Sequence, residues 1–309
     1  MTASTDRAPG RDWKAFGWQG INLTVPADWE LVATSGSYES GYVGLADESS
    51  MRLELRWESA PGSFEPSDLA SRYLQELRRK ARKDSAEITV RRDTGLASPK
   101  RKQVECYEWA SSVQGAGMVS RCEDCGRMVH LAVLGLPGQS LRGLVRTVFA
   151  SLRDHPEADT HLWRFFDLEF RSPRELPLRR QDLKTGCIRL LFGRGRRELE
   201  FVRVSLAKVL LARQSLPAWF QEFYAASLKR CRYTLAEGEV KGHPALRLQG
   251  APWWILNPLR WLGRGLTIQG ACWHCAPSNR LFIVRHVAPR SESGILEQAI
   301  NSLSCCPGS

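Results

Sequence analysis

No stretch of this 309-residue chain is apolar for the 18 or so residues that a membrane-spanning helix needs. Residues 1–12 contain no hydrophobic segment of the kind that addresses a protein for export, which points to a cytoplasmic location. An odd count of nine cysteines fits thiols or metal ligands better than a disulfide framework. Enzyme motifs are missing too. There is no Gly-x-x-x-x-Gly-Lys-Ser/Thr loop, no His-Glu-x-x-His, no Gly-x-Ser-x-Gly, and no Gly-x-Gly-x-x-Gly opening a helix. Acidic residues are in deficit, 33 against 44 Lys and Arg, for a net charge of +11.

What is present is an ordinary globular mixture, 43% hydrophobic and 25% charged, long enough for two domains. The charge is lopsided. Residues 1–155 carry 21 basic and 20 acidic side chains, whereas residues 156–309 carry 23 and 13. The second half therefore suits an anionic partner such as nucleic acid, an acidic protein or a membrane surface, or else it is a solvated basic face.

The halves also repeat. At an offset of 145–151 residues, Gly41-Tyr42-Val43 meets Gly186-Cys187-Ile188, and Leu53-Glu54-Leu55 meets Leu199-Glu200-Phe201. Tyr73 meets Tyr224, Cys122-x-x-Cys125 meets Cys272-x-x-Cys275, and Ser151-Leu152 meets Ser302-Leu303. The shared order of matches points to duplication. The expected parts are a flexible tail at 1–12, a first repeat at 13–153, a linker at 154–160 and a second repeat at 161–304.

Alternating apolar residues at Ile21, Leu23 and Val25, and at Leu53, Leu55 and Trp57, have the period of half-buried strands. Pro66 and Pro217 stand where proline opens a helix, and Leu69, Tyr73 and Leu77 line one helical face. More strands follow, and helices over 139–152 and 293–303 close the two halves. The order β-β-β-α-β-β-β-α predicts an α+β fold: two tandem antiparallel sheets covered by helices and related by a pseudo-two-fold.

The segment Val25-Pro26-Ala27-Asp28-Trp29 between two strands resembles the PsbP-like group, which includes a family of Ran-binding nuclear import factors. That resemblance implies an α/β/α sandwich in each half and a non-enzymatic, accessory role. The second half departs from it, with Ser172-Pro173-Arg174-Glu175-Leu176 in place of the tryptophan motif, and no functional residues carry over.

Cys122-Glu123-Asp124-Cys125-Gly126 has the form of a zinc knuckle, with two thiolates able to face one ion and a glycine for the tight turn. Cys272-Trp273-His274-Cys275 recurs at the matching place. The duplication predicts one structural four-cysteine zinc site, Cys122, Cys125, Cys272 and Cys275, joining the repeats. Buried thiols are the alternative, and strands flanking both pairs disfavour a redox dithiol. Cys106, Cys187 and Cys231 read as core thiols. Cys305-Cys306 reads as a frayed tail, with metal ligation or oxidation the alternative.

The second half carries an insertion at 252–264 rich in tryptophan and leucine. Trp253, Trp254, Arg260 and Trp261 combine residue types found at binding hot spots, lipid headgroups and single-strand stacking platforms, or the segment is a hydrophobic plug. Arg194, Arg196 and Arg197 project from a short turn that suits phosphate or stands in solvent. The expected function is a non-enzymatic binding or scaffold protein, zinc-stapled, that meets an anionic or amphipathic partner (a protein or nucleic acid, with peripheral membrane contact possible) through its basic second repeat. The alternative is an enzyme of unrecognised class with its site in the cleft between the repeats.

Overall fold

A computed structural model describes residues 12–59, 65–96, 102–155, 159–253, 265–289 and 294–306. The chain divides into two compact units, one of residues 1–157 with 164–166, the other of residues 158–163 with 167–309. Residues 1–11 of the expected tail, and Trp254, Arg260 and Trp261 of the insertion, lie outside the described residues.

The first unit begins with a hairpin, β1 (Trp13–Trp18) and β2 (Ile21–Pro26). Its main sheet is built from β3 (Glu30–Gly36), β4 (Ser40–Ala46), β5 (Met51–Ser59), β6 (Thr89–Arg92), β7 (Lys102–Ala110), β8 (Gln114–Cys122) and β9 (Arg127–Gly135). These strands are antiparallel in the order β3-β4-β5-β9-β8-β7-β6. Helix α1 (Pro66–Lys83) starts at the predicted proline and lays Ala70, Tyr73 and Leu74 into a cluster with Tyr107, Trp109, Val119 and Met128. Helix α2 (Arg142–Ala150) closes the unit.

In the second half, β10 (Thr160–Phe165) and β11 (Leu168–Pro173) are neighbours joined at Phe166, whose φ of 49° makes the tight turn. Strands β12 (Leu178–Lys184), β13 (Cys187–Arg194) and β14 (Arg197–Ser205) come next, followed by short helices α3 (Ala207–Leu211), α4 (Leu216–Phe223) and α5 (Ala225–Leu228). Then come β15 (Cys231–Val240), β16 (His243–Pro252), β17 (Leu266–Cys275), β18 (Arg280–Pro289) and α6 (Ile295–Ser302). The sheet order is β12-β13-β14-β18-β17-β16-β15, the same path through the sheet as in the first unit. Trp219, Phe220 and Tyr224, from α4 and the residue before α5, cluster with Val202, Leu246, Ile268, Cys272 and Ile283.

The α+β, sandwich-like expectation is corrected by these elements. The described residues are 54% strand and 20% helix, a mostly β arrangement whose sheets are antiparallel. Period-two segments beyond those recognised in the sequence supply the difference. Cys231 to Leu235, for instance, alternate between half-buried and exposed side chains along β15. The helix expected after Pro217 is also short, because Tyr224 leaves the helical conformation and divides α4 from α5.

Candidate metal centres

In the first unit, β8 ends on Cys122, and the turn through Cys125 and Gly126 leads into β9. Gly126 sits at φ 70° and donates its N–H to the Cys122 carbonyl at 2.9 Å, the closure that a knuckle requires. Burial pushes the Cys122 thiol up, while backbone N–H groups of Cys125 and Asp124 directed at its sulfur favour the thiolate.

Two further donors arrive from the segment after α2. Leu152 is fully buried, and Arg153 pairs with Asn22 of β2 through both backbone groups at 2.7 and 3.0 Å. This anchoring sets the next two residues, Asp154 and His155, beside the knuckle. Donor atoms of Cys122, Cys125, Asp154 and His155 all lie within 4.8 Å of one another. His155 Nδ1 is 3.8 Å from Cys122 Sγ, and Nε2 is 3.8 Å from Asp124 Oδ2. The shorter contact of that ring is between Nδ1 and Asp154 Oδ1, at 3.1 Å.

The second unit forms a cluster at the corresponding place. Strand β17 ends on Cys275, and α6 is followed by buried Leu303, by Ser304 paired to Glu169 of β11 at 2.9 Å, and by Cys305 and Cys306. The fourth donor is His243, which follows the two-residue turn Lys241-Gly242 joining β15 to β16; both turn residues have positive φ, at 52° and 76°. Cys275 Sγ is 3.6 Å from Cys306 Sγ, the Cys305 and Cys306 sulfurs are 3.9 Å apart, and His243 Nε2 is 3.3 Å from Cys306 Sγ. Sulfurs 2.3 Å from a tetrahedral ion would be about 3.8 Å apart. The donor sets thus have the spacing to hold a metal ion: two thiols, a carboxylate and an imidazole in one unit, three thiols and an imidazole in the other.

These groupings reassign the sequence-predicted ligands. Cys272 and Cys275 both lie within β17, and residues three apart on a strand point to opposite faces. Cys272, with no exposed surface, sits in the apolar cluster with Trp219 and Phe220, and burial pushes its thiol far up. Only Cys275 reaches a donor cluster. His274 is not among the donors of that cluster. Asp154, His155 and His243 were missed. The register that matches Ser151-Leu152 with Ser302-Leu303 would have revealed the first two, since it lays Asp154-His155 over Cys305-Cys306.

Each centre has a fixed cation at hand. The buried Arg127 guanidinium donates to carbonyls of Asp154, Gln19 and Tyr38 at 3.0, 3.2 and 2.9 Å. In the second unit, Lys241 Nζ donates to carbonyls of Asn301 and Leu303 at 3.0 and 2.6 Å. A divalent ion with either donor set leaves a net charge of −1, which these cations offset.

Other charged groups serve packing. Glu200 is 2% exposed and accepts from Arg285 and Tyr224, both at 2.9 Å, and from Arg189. Burial raises its pKa, but the two guanidiniums outweigh that and hold it below the usual carboxylate range. Of the predicted partner residues, Trp253 is 48% exposed, Arg194 and Arg196 are exposed, and Arg197 is half-buried and paired to Glu175 at 3.1 Å. No described helix is long and apolar enough to cross a membrane.

Comparison with protein families and with curated proteins finds no match. Among solved structures, the immunity protein TplEi of the T6SS from Pseudomonas aeruginosa, complexed with an "L" peptide, is similar at 11% identity over 96% of this chain and 98% of that chain, with a TM-score of 0.33. A score of that size assigns neither fold nor function.

Proposed function

We propose that the chain is a non-enzymatic binding protein whose two β units are each held in shape by a structural zinc ion. The pair of four-donor clusters at the same place in both units carries this reading. Four protein ligands close a tetrahedral sphere and leave no position for an activated water, which favours a structural ion over a catalytic one. The basic second unit is the surface offered to an anionic or amphipathic partner, with Trp253, Arg194 and Arg196 its exposed described residues.

The test is elemental analysis of protein purified without chelator, with thermal unfolding before and after zinc removal. About two zinc ions per chain are expected, one for each cluster, with a lower Tm after chelation. Protein that folds and melts unchanged with no bound zinc would overturn the proposal.

A further inference from the structure

The two centres are built alike but enclosed differently. Each centre has two buried ligands, Cys122 and Asp154 in one and Cys275 and Cys305 in the other; in the second unit, where three thiolates and one imidazole meet, the remaining ligands Cys306 and His243 are half-buried. In the first unit, a carboxylate stands in for one thiolate, Cys125 is exposed, and the His155 side chain keeps 34% of its surface in solvent. Soft thiolates hold zinc-type ions more firmly than a hard carboxylate does, and an exposed ligand gives a competing chelator a point of attack.

The frame of the first centre is also fixed by contacts that do not involve an ion. Arg127 ties the Asp154 carbonyl to those of Gln19 and Tyr38, its guanidinium lies 4.6 Å from the Tyr38 ring, and the Cys122–Gly126 turn is closed by its own backbone hydrogen bond. An ion can leave such a site with part of its frame kept, at a cost in the first unit's stability. Cys275, Cys305, Cys306 and His243 bring together a hairpin turn, a strand end and the segment after α6, which Lys241 and the Ser304–Glu169 hydrogen bond also hold, so what separates the two centres is the third thiolate and the exposure of Cys125.

We infer that the Cys122–Cys125–Asp154–His155 centre is an exchangeable site for a soft divalent cation of the zinc class, while the three-thiolate centre of the second unit keeps its ion. The first unit thereby senses or buffers free metal, and the second remains shaped whatever the supply. This inference rests on the reading that both clusters bind metal.

The experiment follows zinc release from the intact chain into an excess of a colorimetric chelator, after elemental analysis has established that zinc is bound. Two phases of one equivalent each are expected. Cys125→Ser should delete the faster phase and keep the slower, and Cys306→Ser should delete the slower. Should either variant fail to fold, the wild-type chain loaded with cobalt supplies the same information. The ion that leaves first should then carry the smaller thiolate-to-metal charge-transfer absorption, as befits two sulfurs rather than three. Release in a single phase, or first loss of the stronger absorption, would overturn this inference and leave the structural-zinc proposal standing. Absence of bound zinc at the outset would remove both.

Discussion

The hydroxyl of Tyr107 lies 2.6 Å from Nε2 of His130, and both side chains are buried between α1 and the first-unit sheet. Burial, reinforced by the nearby Arg56 charge, lowers the His130 pKa to about 3.

A pH dependence follows. His130 is depressed relative to an unfolded value near 6.5, so the stability it contributes is complete above pH 6.5 and is lost as pH falls toward 3. His286, lowered to about 4 by burial and Arg197, acts in the same direction. Each should steepen the loss by about 1.4 kcal/mol per pH unit in that window. Urea unfolding between pH 4 and 7, with chelator present so that metal release adds nothing, should show this slope. His130→Gln should reduce it by about one proton. An unchanged slope in that variant would mean that His130 titrates normally.

Glu200 is a buried carboxylate shared by two guanidiniums and a phenol in the second-unit sheet. Removing it takes the shared carboxylate from Arg189 and Arg285 beside Tyr224 and leaves Arg285 with Glu198 at 3.8 Å. Glu200→Ala should cost about 3–5 kcal/mol, the penalty for breaking a buried pair from one side. The variant Tyr224→Phe removes a single neutral donor to that carboxylate and should cost about 1.5–3 kcal/mol. Equal effects in denaturant titrations would show that the two ion pairs add nothing beyond the hydroxyl's hydrogen bond.

Cys272 and Cys275 should behave as unrelated residues despite their shared motif. Cys272→Ala removes a sulfur from an apolar cluster and should cost about 1 kcal/mol without changing the zinc content. Cys275→Ser should remove one equivalent of zinc and lower Tm through lost metal binding. Loss of zinc from Cys272→Ala would return Cys272 to the ligand set.

That pair shows where sequence reasoning stops. A Cys-x-x-Cys can bind one ion only where the chain turns between its members, as at Cys122–Gly126, and flanking residues alone do not locate the turn. In the second unit the turn begins one residue after Cys275, so Cys275 matches Cys122, and the earlier cysteine is left on the opposite strand face. The apolar alternation of β2 and β5 and the proline opening α1 were readable, because local periodicity and a missing N–H act within a few residues. His243 was hidden because long-range pairing places it, and Asp154 and His155 show only in the register of the repeat, not in any local pattern. Asn22 holds the segment carrying Asp154 and His155, and the Lys241–Leu303 contact joins the His243 hairpin to the segment leading to Cys305.

Trp253 tests the proposed partner surface. Its N–H bonds to the Arg230 carbonyl at 3.0 Å, which fixes the backbone while nearly half of the residue remains in solvent. Lys229, Arg230 and Arg232 are exposed in the adjoining chain, so an aromatic face and several cations share one corner of the second unit. A single-stranded oligonucleotide, with stacking bases on a phosphate backbone, is the probe that engages both features. Trp253→Ser should leave Tm nearly unchanged and cost about 1–3 kcal/mol of binding, the usual loss for one stacked base. Arg230→Ala combined with Arg232→Ala should instead flatten the dependence of affinity on salt, because each lost phosphate contact releases one fewer counterion. An oligonucleotide that binds the wild type and both variants equally would place the contact surface elsewhere on the second unit. A steep fall in Tm for Trp253→Ser would make this tryptophan part of the packing, and the surface would lose its aromatic anchor.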